Sequence, residues 1–301
     1  MPQALSEAQI AAFRRDGYLM AEGAVTPGEL AALRAEMAAW IAESARHEAS
    51  FGAEDTLDGM PRFDVERGHS RDDPRLRRVN NPAEIGPAHK QVAFASRMCA
   101  MVVDLIGPDV KFHHGKINIK LPRTESRVGY HQDFSYTPHT NDDLVTALLL
   151  VDDMTEANGP LRVVPGSHRE GQNTLWHDGS FTGQVAEEVV QAASNRLVTL
   201  TGKAGSVCLM HTSLLHGSEP NRSGERRALY ISVYAAADAF MLSPSPLPNR
   251  FESRVVAGQP TRRARLTVGE VELPSLAHKG SFFNLAGQGT NQGAGARPPS
   301  D

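Results

Sequence analysis

Apolar positions follow two different periods along this chain, and the change falls near residue 110. In the stretch SEAQIAAFRRDG, Ser6 stands at an N-cap position, Ile10 and Phe13 share one face, and Gly17 closes the run. That pattern predicts a helix. TPGELAALRAEMAAWIAESARHEA repeats the signature: Thr26 caps, Pro27 takes the first turn, and Leu30, Leu33, Met37 and Ile41 fall at helical spacing. Residues 47–85 are polar and rich in Asp, Arg and Pro, and read as loop with short strands. Residues 88–107 predict one further helix, ended by Gly107. From Val110 the runs become short and β-branched: VKFHHGKINIKL, LVTALLLVDD, LRVVPGS, RLVTLTG, GSVCLMHTSLLHG and RRALYISVYAA. Clusters of Gly, Pro, Asn and Asp separate them, which predicts an all-β sandwich or barrel.

Composition narrows the function classes. The 301 residues are 40% hydrophobic and 22% charged, with a net charge of −4. That length suits one large domain or two small ones. The balance predicts no nucleic-acid partner and no anionic membrane surface, and no apolar run reaches the length of a membrane span. The N-terminal stretch is charged and lacks a signal-peptide core. Cys99 and Cys208 make a poor disulfide framework and read as small core hydrophobes in a reducing, cytoplasmic setting. Without a secretory signal, the NRS at Asn221 reads as a chance match to a glycosylation acceptor. No pattern in the chain speaks to its oligomeric state.

Candidate chemistry gathers in GYHQDFSYTPHTNDDL. Side chains two apart on a strand point the same way, so His131 and Asp133 are expected to project together from one strand edge. They are two legs of a metal site, and a third ligand is needed. His216, which ends an apolar strand in SLLHGSEPNRS, is a candidate; His139, His168 and His211 compete with it, and spacing does not choose between them. Two imidazoles and one carboxylate leave open positions, the arrangement favoured by oxygen-activating ferrous iron. In RRALYISVYA, Arg227 shares a strand face with Leu229, Ile231 and Val233. A guanidinium aligned with three aliphatic side chains faces either a buried pocket, where it needs an anion, or water at the strand start. On the strand at 112–120, alternation places Phe112, His114, Lys116, Asn118 and Lys120 together, a face that is either solvated or the wall of a cationic pocket.

At these residues the sequence resembles the phytanoyl-CoA dioxygenase family of iron(II)/2-oxoglutarate oxygenases. The matching pieces are YHQDFSYTPH, NGPLRVVPGSH and HTSLLHGSEPNRSGERRALYISVYAAADA, and the likeness runs from about Gly115 to Ala239. The resemblance implies a mainly β fold, a double-stranded β-helix (a cupin-like jelly roll) with N-terminal and flanking α-helices. It implies a single oxygenase domain over residues 1–285: a helical part to 108, a jelly-roll core at about 109–240 and a C-terminal extension over 241–285. The low-complexity residues 286–301 would form a flexible tail. His131, Asp133 and His216 would be the iron ligands. Arg227, eleven residues after His216, would pair with the distal carboxylate of 2-oxoglutarate, with Ser218 adding a hydroxyl. Asn118 and Lys120 match a strand that contributes co-substrate contacts. Phe134 and Tyr136 would sit beside the iron as walls of a substrate pocket, with Lys116 and His114 of the 112–120 strand as further candidates for its lining.

The activity implied is hydroxylation of an unactivated C–H bond in a small metabolite, using Fe(II), 2-oxoglutarate and O2 and releasing succinate and CO2. The cationic strand face favours an anionic substrate. Related halogenases lack the carboxylate, so Asp133 points to oxygenation, with desaturation and ring formation as variants. Two rival readings keep the fold: a hydrolase using zinc or manganese, and a metal-binding jelly-roll sensor without turnover. Arg227 and Ser218 speak against the hydrolase, which has no use for a dicarboxylate anchor.

Overall fold

The computed structural model describes residues 4–124 and 126–275. The low-complexity tail lies outside them. Capping chemistry sets the first two helices. In α1 (Glu7–Asp16) the Ser6 side chain accepts from the Gln9 backbone while the Gln9 side chain bonds back to Ser6, and in α2 (Pro27–Ser44) Thr26 and Glu29 do the same. Both are capping boxes, which satisfy N–H groups that a helix start otherwise leaves open. Gly17 ends α1 in the left-handed region, φ 79°. A short strand, β1 (Tyr18–Ala21), lies between the two helices, where no strand was expected.

The expected single helix at 88–107 is two: α3 (Pro87–Ala95) and α4 (Arg97–Ile106). Ser96 separates them in extended conformation. Its hydroxyl donates to Val92 O at 2.6 Å and accepts from Cys99 N at 3.4 Å, so one side chain ends the first helix and caps the second.

The other elements are β2 (Phe63–Val65), β3 (Leu76–Asn80), β4 (Val110–Lys120), β5 (Val128–His131), β6 (Leu144–Leu150), β7 (Leu161–Val163), β8 (Trp176–His177), β9 (Ser180–Phe181), α5 (Glu187–Ala192), β10 (Val198–Leu200), β11 (Val207–His211), β12 (His216–Ser218), β13 (Arg227–Ala236) and β14 (Val255–Ala257). They build a major sheet in the order β1-β11-β6-β13-β4-β3-β2, with β14 also on β4, and a minor sheet in the order β10-β7-β12-β5. The two sheets form the sandwich of a double-stranded β-helix.

Alternation along β6 and β13 divides the core. Leu148, Leu150, Leu229 and Ile231 join Leu161 and Val163 of the minor sheet in the sandwich interior. Val145, Ala147, Leu149, Ala228, Tyr230 and Tyr234 face the helices, among Leu33, Met37, Val92 and Met101. Tyr230 and Tyr234 donate to the backbone oxygens of His89 and Ala93, fastening α3 to the sheet. Arg227 thus shares the interior face of β13 with Leu229 and Ile231, as its sequence parity predicts.

On β4 the expected alternation fails at one point. Val233 pairs with His114 but Tyr234 pairs with Phe112, so a bulge falls at His113. The extra residue turns Phe112 to the helix side, where its ring meets Phe94 and Tyr234. Among the described residues no helix is long and apolar enough to cross a membrane.

Candidate metal centre

β5 and β12 run antiparallel with His131 and His216 as direct partners, and the two rings stand 4.3 Å apart. β5 ends at His131, so the expected placement of Asp133 on the same strand does not hold. The chain turns through Gln132 into a single 3-10 turn, Asp133–Ser135. Gln132 is fully buried and holds that corner. Its Nε2 donates to Gly171 O (2.9 Å) and Ser213 O (2.7 Å), and its Oε1 accepts from Asn173 N (2.8 Å) and Nδ2 (3.0 Å).

The turn brings Asp133 Oδ1 to 3.4 Å from His131 Nε2 and 3.8 Å from His216 Nε2. Each imidazole bonds through Nδ1 to a backbone carbonyl, His131 to Gly129 O (2.8 Å) and His216 to Leu214 O (2.9 Å). A carbonyl can only accept, so each Nδ1 carries the proton and each Nε2 presents a lone pair. Thr146 Oγ1 donates to Asp133 Oδ2 at 2.7 Å and occupies the second carboxylate oxygen. One ligand atom from each of the three side chains lies within 4.8 Å of the others, and no other group of this kind converges among the described residues.

Electrostatics prepare these groups for a cation. Burial, aided by His131, pushes His216 down to about 4, so its ring is neutral near pH 7. Burial pushes the Asp133 carboxyl upward, but His216 and His131 outweigh it and hold the group well below the usual carboxylate range. Two imidazoles and one carboxylate with open sides fit a ferrous ion. The competing histidines stand elsewhere. The His139 ring is 5.1 Å from His113, and the His211 ring is 5.1 Å from His168.

Arg227 begins β13 opposite Lys120 of β4 and is 2% exposed. Its Nη2 donates to Gly159 O at 2.5 Å, and its Nε has no acceptor among the described residues. Burial pushes the guanidinium down to about 10, still charged near neutrality. A buried fork with one unmet N–H suits a carboxylate. Gly159 itself has φ 81°, and a Cβ there would lie 2.6 Å from Lys120 Cδ. Lys120 is spent on the backbone, donating to Glu219 O. Ser218 is buried two residues after His216 on β12. Asn118 leaves its Oδ1 without a partner among the described residues.

A cavity of about 680 Å³ opens beside Asp133. Tyr136, His114 and Lys116 line it. Phe134 does not: it is buried with Leu144, Ala235 and Ala239 in a separate apolar cluster. Burial and the nearby Arg78 push Lys116 down to about 8, against the pull of Asp133. Sequence reasoning missed Arg78, Asp64 and the wall formed by residues 243–248, all of which line the cavity. The doubled arginine in PRLRRVN was the available signal, but alternation on a five-residue strand did not reveal which of the pair turns inward.

The family model described as phytanoyl-CoA dioxygenase matches residues 13–229. A probable alpha-ketoglutarate-dependent hypophosphite dioxygenase from Stutzerimonas stutzeri is 32% identical over 218 residues, covering 70% of this chain and 74% of that protein. The ectoine dioxygenase of Bordetella parapertussis is 27% identical over 272 residues, 83% of each chain. The crystal structure of EctD from S. alaskensis with bound Fe superposes with a TM-score of 0.67 at 25% identity, covering 88% of this chain and 89% of that one.

Proposed function

This chain belongs to the phytanoyl-CoA dioxygenase family and is an iron(II)- and 2-oxoglutarate-dependent dioxygenase, and from that premise we propose that His131, Asp133 and His216 hold its iron while Arg227 anchors 2-oxoglutarate. The observation that carries the assignment is that His131 Nε2, His216 Nε2 and Asp133 Oδ1 gather around one point, with both Nδ1 atoms tied to backbone carbonyls. Metal-bound histidines ordinarily use their second nitrogen in this way.

With iron(II) bound, 2-oxoglutarate and O2 supply the oxidising chemistry: substrate C–H, 2-oxoglutarate and O2 become C–OH, succinate and CO2. The protein contributes position and exclusion of water. Thr146 fixes which oxygen Asp133 offers, and Gln132 holds the corner that delivers it. Arg227, with Ser218 nearby in sequence register, receives the distal carboxylate. Its orphaned Nε favours this reading over a hydrolase, which has no dicarboxylate to bind. The cavity beside Asp133 receives a small metabolite. The relatives are named for hypophosphite, ectoine and, in Streptomyces griseoviridis, L-proline. All three are small polar molecules, which fits a cavity lined by Lys116, Arg78 and His114.

The test is oxygen consumption and succinate formation by the purified protein, with candidate metabolites screened for stimulation of both. Turnover should require iron(II) and 2-oxoglutarate together. Turnover without 2-oxoglutarate, or with zinc alone, would overturn the assignment.

A further inference from the structure

Strand pairing places two cations side by side in the cavity wall. β3 and β4 are antiparallel, with Arg78 opposite Asn118 and Asn80 opposite Lys116. Arg78 and Lys116 are therefore diagonal neighbours on one sheet face, within reach of each other for long side chains. Both line the cavity beside Asp133. Arg78 is 5% exposed, and its Nε donates to Asn80 Oδ1 at 2.7 Å, which fixes the plane of the guanidinium. Asp64, its partner on β2, also lines the cavity, and its charge favours Arg78. The same carboxylate is held by Arg77, Nε to Oδ2 at 3.0 Å, so it faces two guanidiniums.

The pair is separate from the Arg227 anchor. Arg227 stands opposite Lys120, four residues along β4 from Lys116, roughly 13 Å at the rise of an extended strand. It is not among the residues that line this cavity.

A planar fork and a point charge, diagonal neighbours on one cavity wall, suit a group with two or three oxygens sharing negative charge. Resting on the reading of the Asp133 cluster as the iron site, we propose that Arg78 and Lys116 form the subsite for an oxyanion group of the substrate: a carboxylate, phosphonate or sulfonate. Held there, the anion sets the distance and angle at which the C–H bond to be oxidised meets the metal. Specificity follows from the same geometry. A neutral isostere would bring no negative charge to the buried Arg78 and the half-buried Lys116, and would be rejected.

The experiment is calorimetric titration of the protein, loaded anaerobically with iron(II) and saturated with 2-oxoglutarate so that Arg227 is occupied. The probes are methylphosphonate, acetate and the neutral acetamide. Methylphosphonate and acetate should bind and acetamide should not. Arg78→Gln and Lys116→Gln should each weaken anion binding by about ten- to a hundredfold, with Arg78→Lys in between. Titration of 2-oxoglutarate into both Gln variants should be unchanged. Anion binding of equal strength in the wild type and both Gln variants would overturn the proposal, as would its absence from the wild type or equal binding of acetamide. Loss of 2-oxoglutarate affinity in the variants would also overturn it, assigning these cations to the co-substrate. If Arg78→Gln does not fold, Lys116→Gln alone decides. Anion binding that obeys this pattern in a wild type unable to take up iron would uphold the subsite and reject the iron assignment.

Discussion

Thr146 Oγ1 donates to Asp133 Oδ2 at 2.7 Å, and Oδ1 of the same carboxylate faces both imidazoles. The hydroxyl sits on the interior face of β6, an inner strand of the major sheet paired on both sides, while Asp133 sits on a turn. A strand thus orients a ligand that the turn only delivers. Thr146→Val preserves shape and removes the donor. It should lower iron affinity by about ten- to a hundredfold with the fold intact. Anaerobic iron titration, with a circular dichroism melt as the control for folding, measures this. Unchanged affinity would show that Thr146 does not orient the ligand.

His131→Ala and His216→Ala should each abolish iron-dependent succinate formation while the secondary structure persists. His211→Ala should keep it, since that ring stands with His168 rather than with Asp133. Full turnover in either of the first two variants, measured at saturating iron, rejects the triad.

Asp133→Gly should lose hydroxylation, because it removes the charge-balancing ligand and the partner of Thr146. Chloride entering the vacated position would give trace chlorination, detectable by mass spectrometry of the product. Normal hydroxylation in this variant would exclude Asp133 as a ligand.

Arg227→Ala should raise the apparent constant for 2-oxoglutarate by about ten- to a hundredfold, the worth of a charge-assisted bond. Arg227→Lys should fall between, keeping the charge and losing the fork. Arg226, partly exposed and 3.5 Å from Asp152 Oδ2, should tolerate Ala with a far smaller effect. A large defect at Arg226 with none at Arg227 would contradict the strand parity.

Acid should destabilise the fold through buried histidines away from the metal cluster. Burial, with His139 and Lys111 beside it, pushes His113 down to about 3; burial pushes His139 down to about 4. Both values lie below the unfolded value near 6.5, so the unfolded chain binds more protons in between. The stability these neutral rings contribute is present above about pH 6.5 and is lost as pH falls toward 4 and then 3. Each group costs about 1.4 kcal/mol per pH unit over its interval. Urea midpoints should fall between pH 7 and pH 5; flat midpoints would rule this out.

Local chemistry was legible in the sequence where one residue decides it. Ser6 and Thr26 start their helices because a short polar side chain there meets the open N–H groups, and side-chain parity holds along β13 because the one extra residue of its pairing lies on β4. The family motifs likewise placed His131, Asp133 and His216 in one cluster. Three features escaped because they depend on neighbours far along the chain. Ser96 divides a continuous apolar pattern. The bulge at His113 inverts Phe112, and only the pairing with β13 reveals it. Arg78 reaches the cavity because β3 docks on β4, while Phe134, close to the ligands in sequence, is drawn into packing against Ala235 and Ala239.

The direct pairing of His131 with His216 has a consequence for folding. These residues lie 85 positions apart and meet only when β5 has zipped onto β12. A metal ion shared by their rings would act as a rivet through two strands of the minor sheet, closing a long loop that the backbone ladder alone must otherwise hold. Metal uptake and the last step of sheet closure would then be one equilibrium. Free metal at a hundred times its dissociation constant would add about 2.7 kcal/mol to the folded state. Starved of iron, the molecule would lose its minor sheet first, and amide exchange in β5 and β12 would quicken before exchange in β6 or β13.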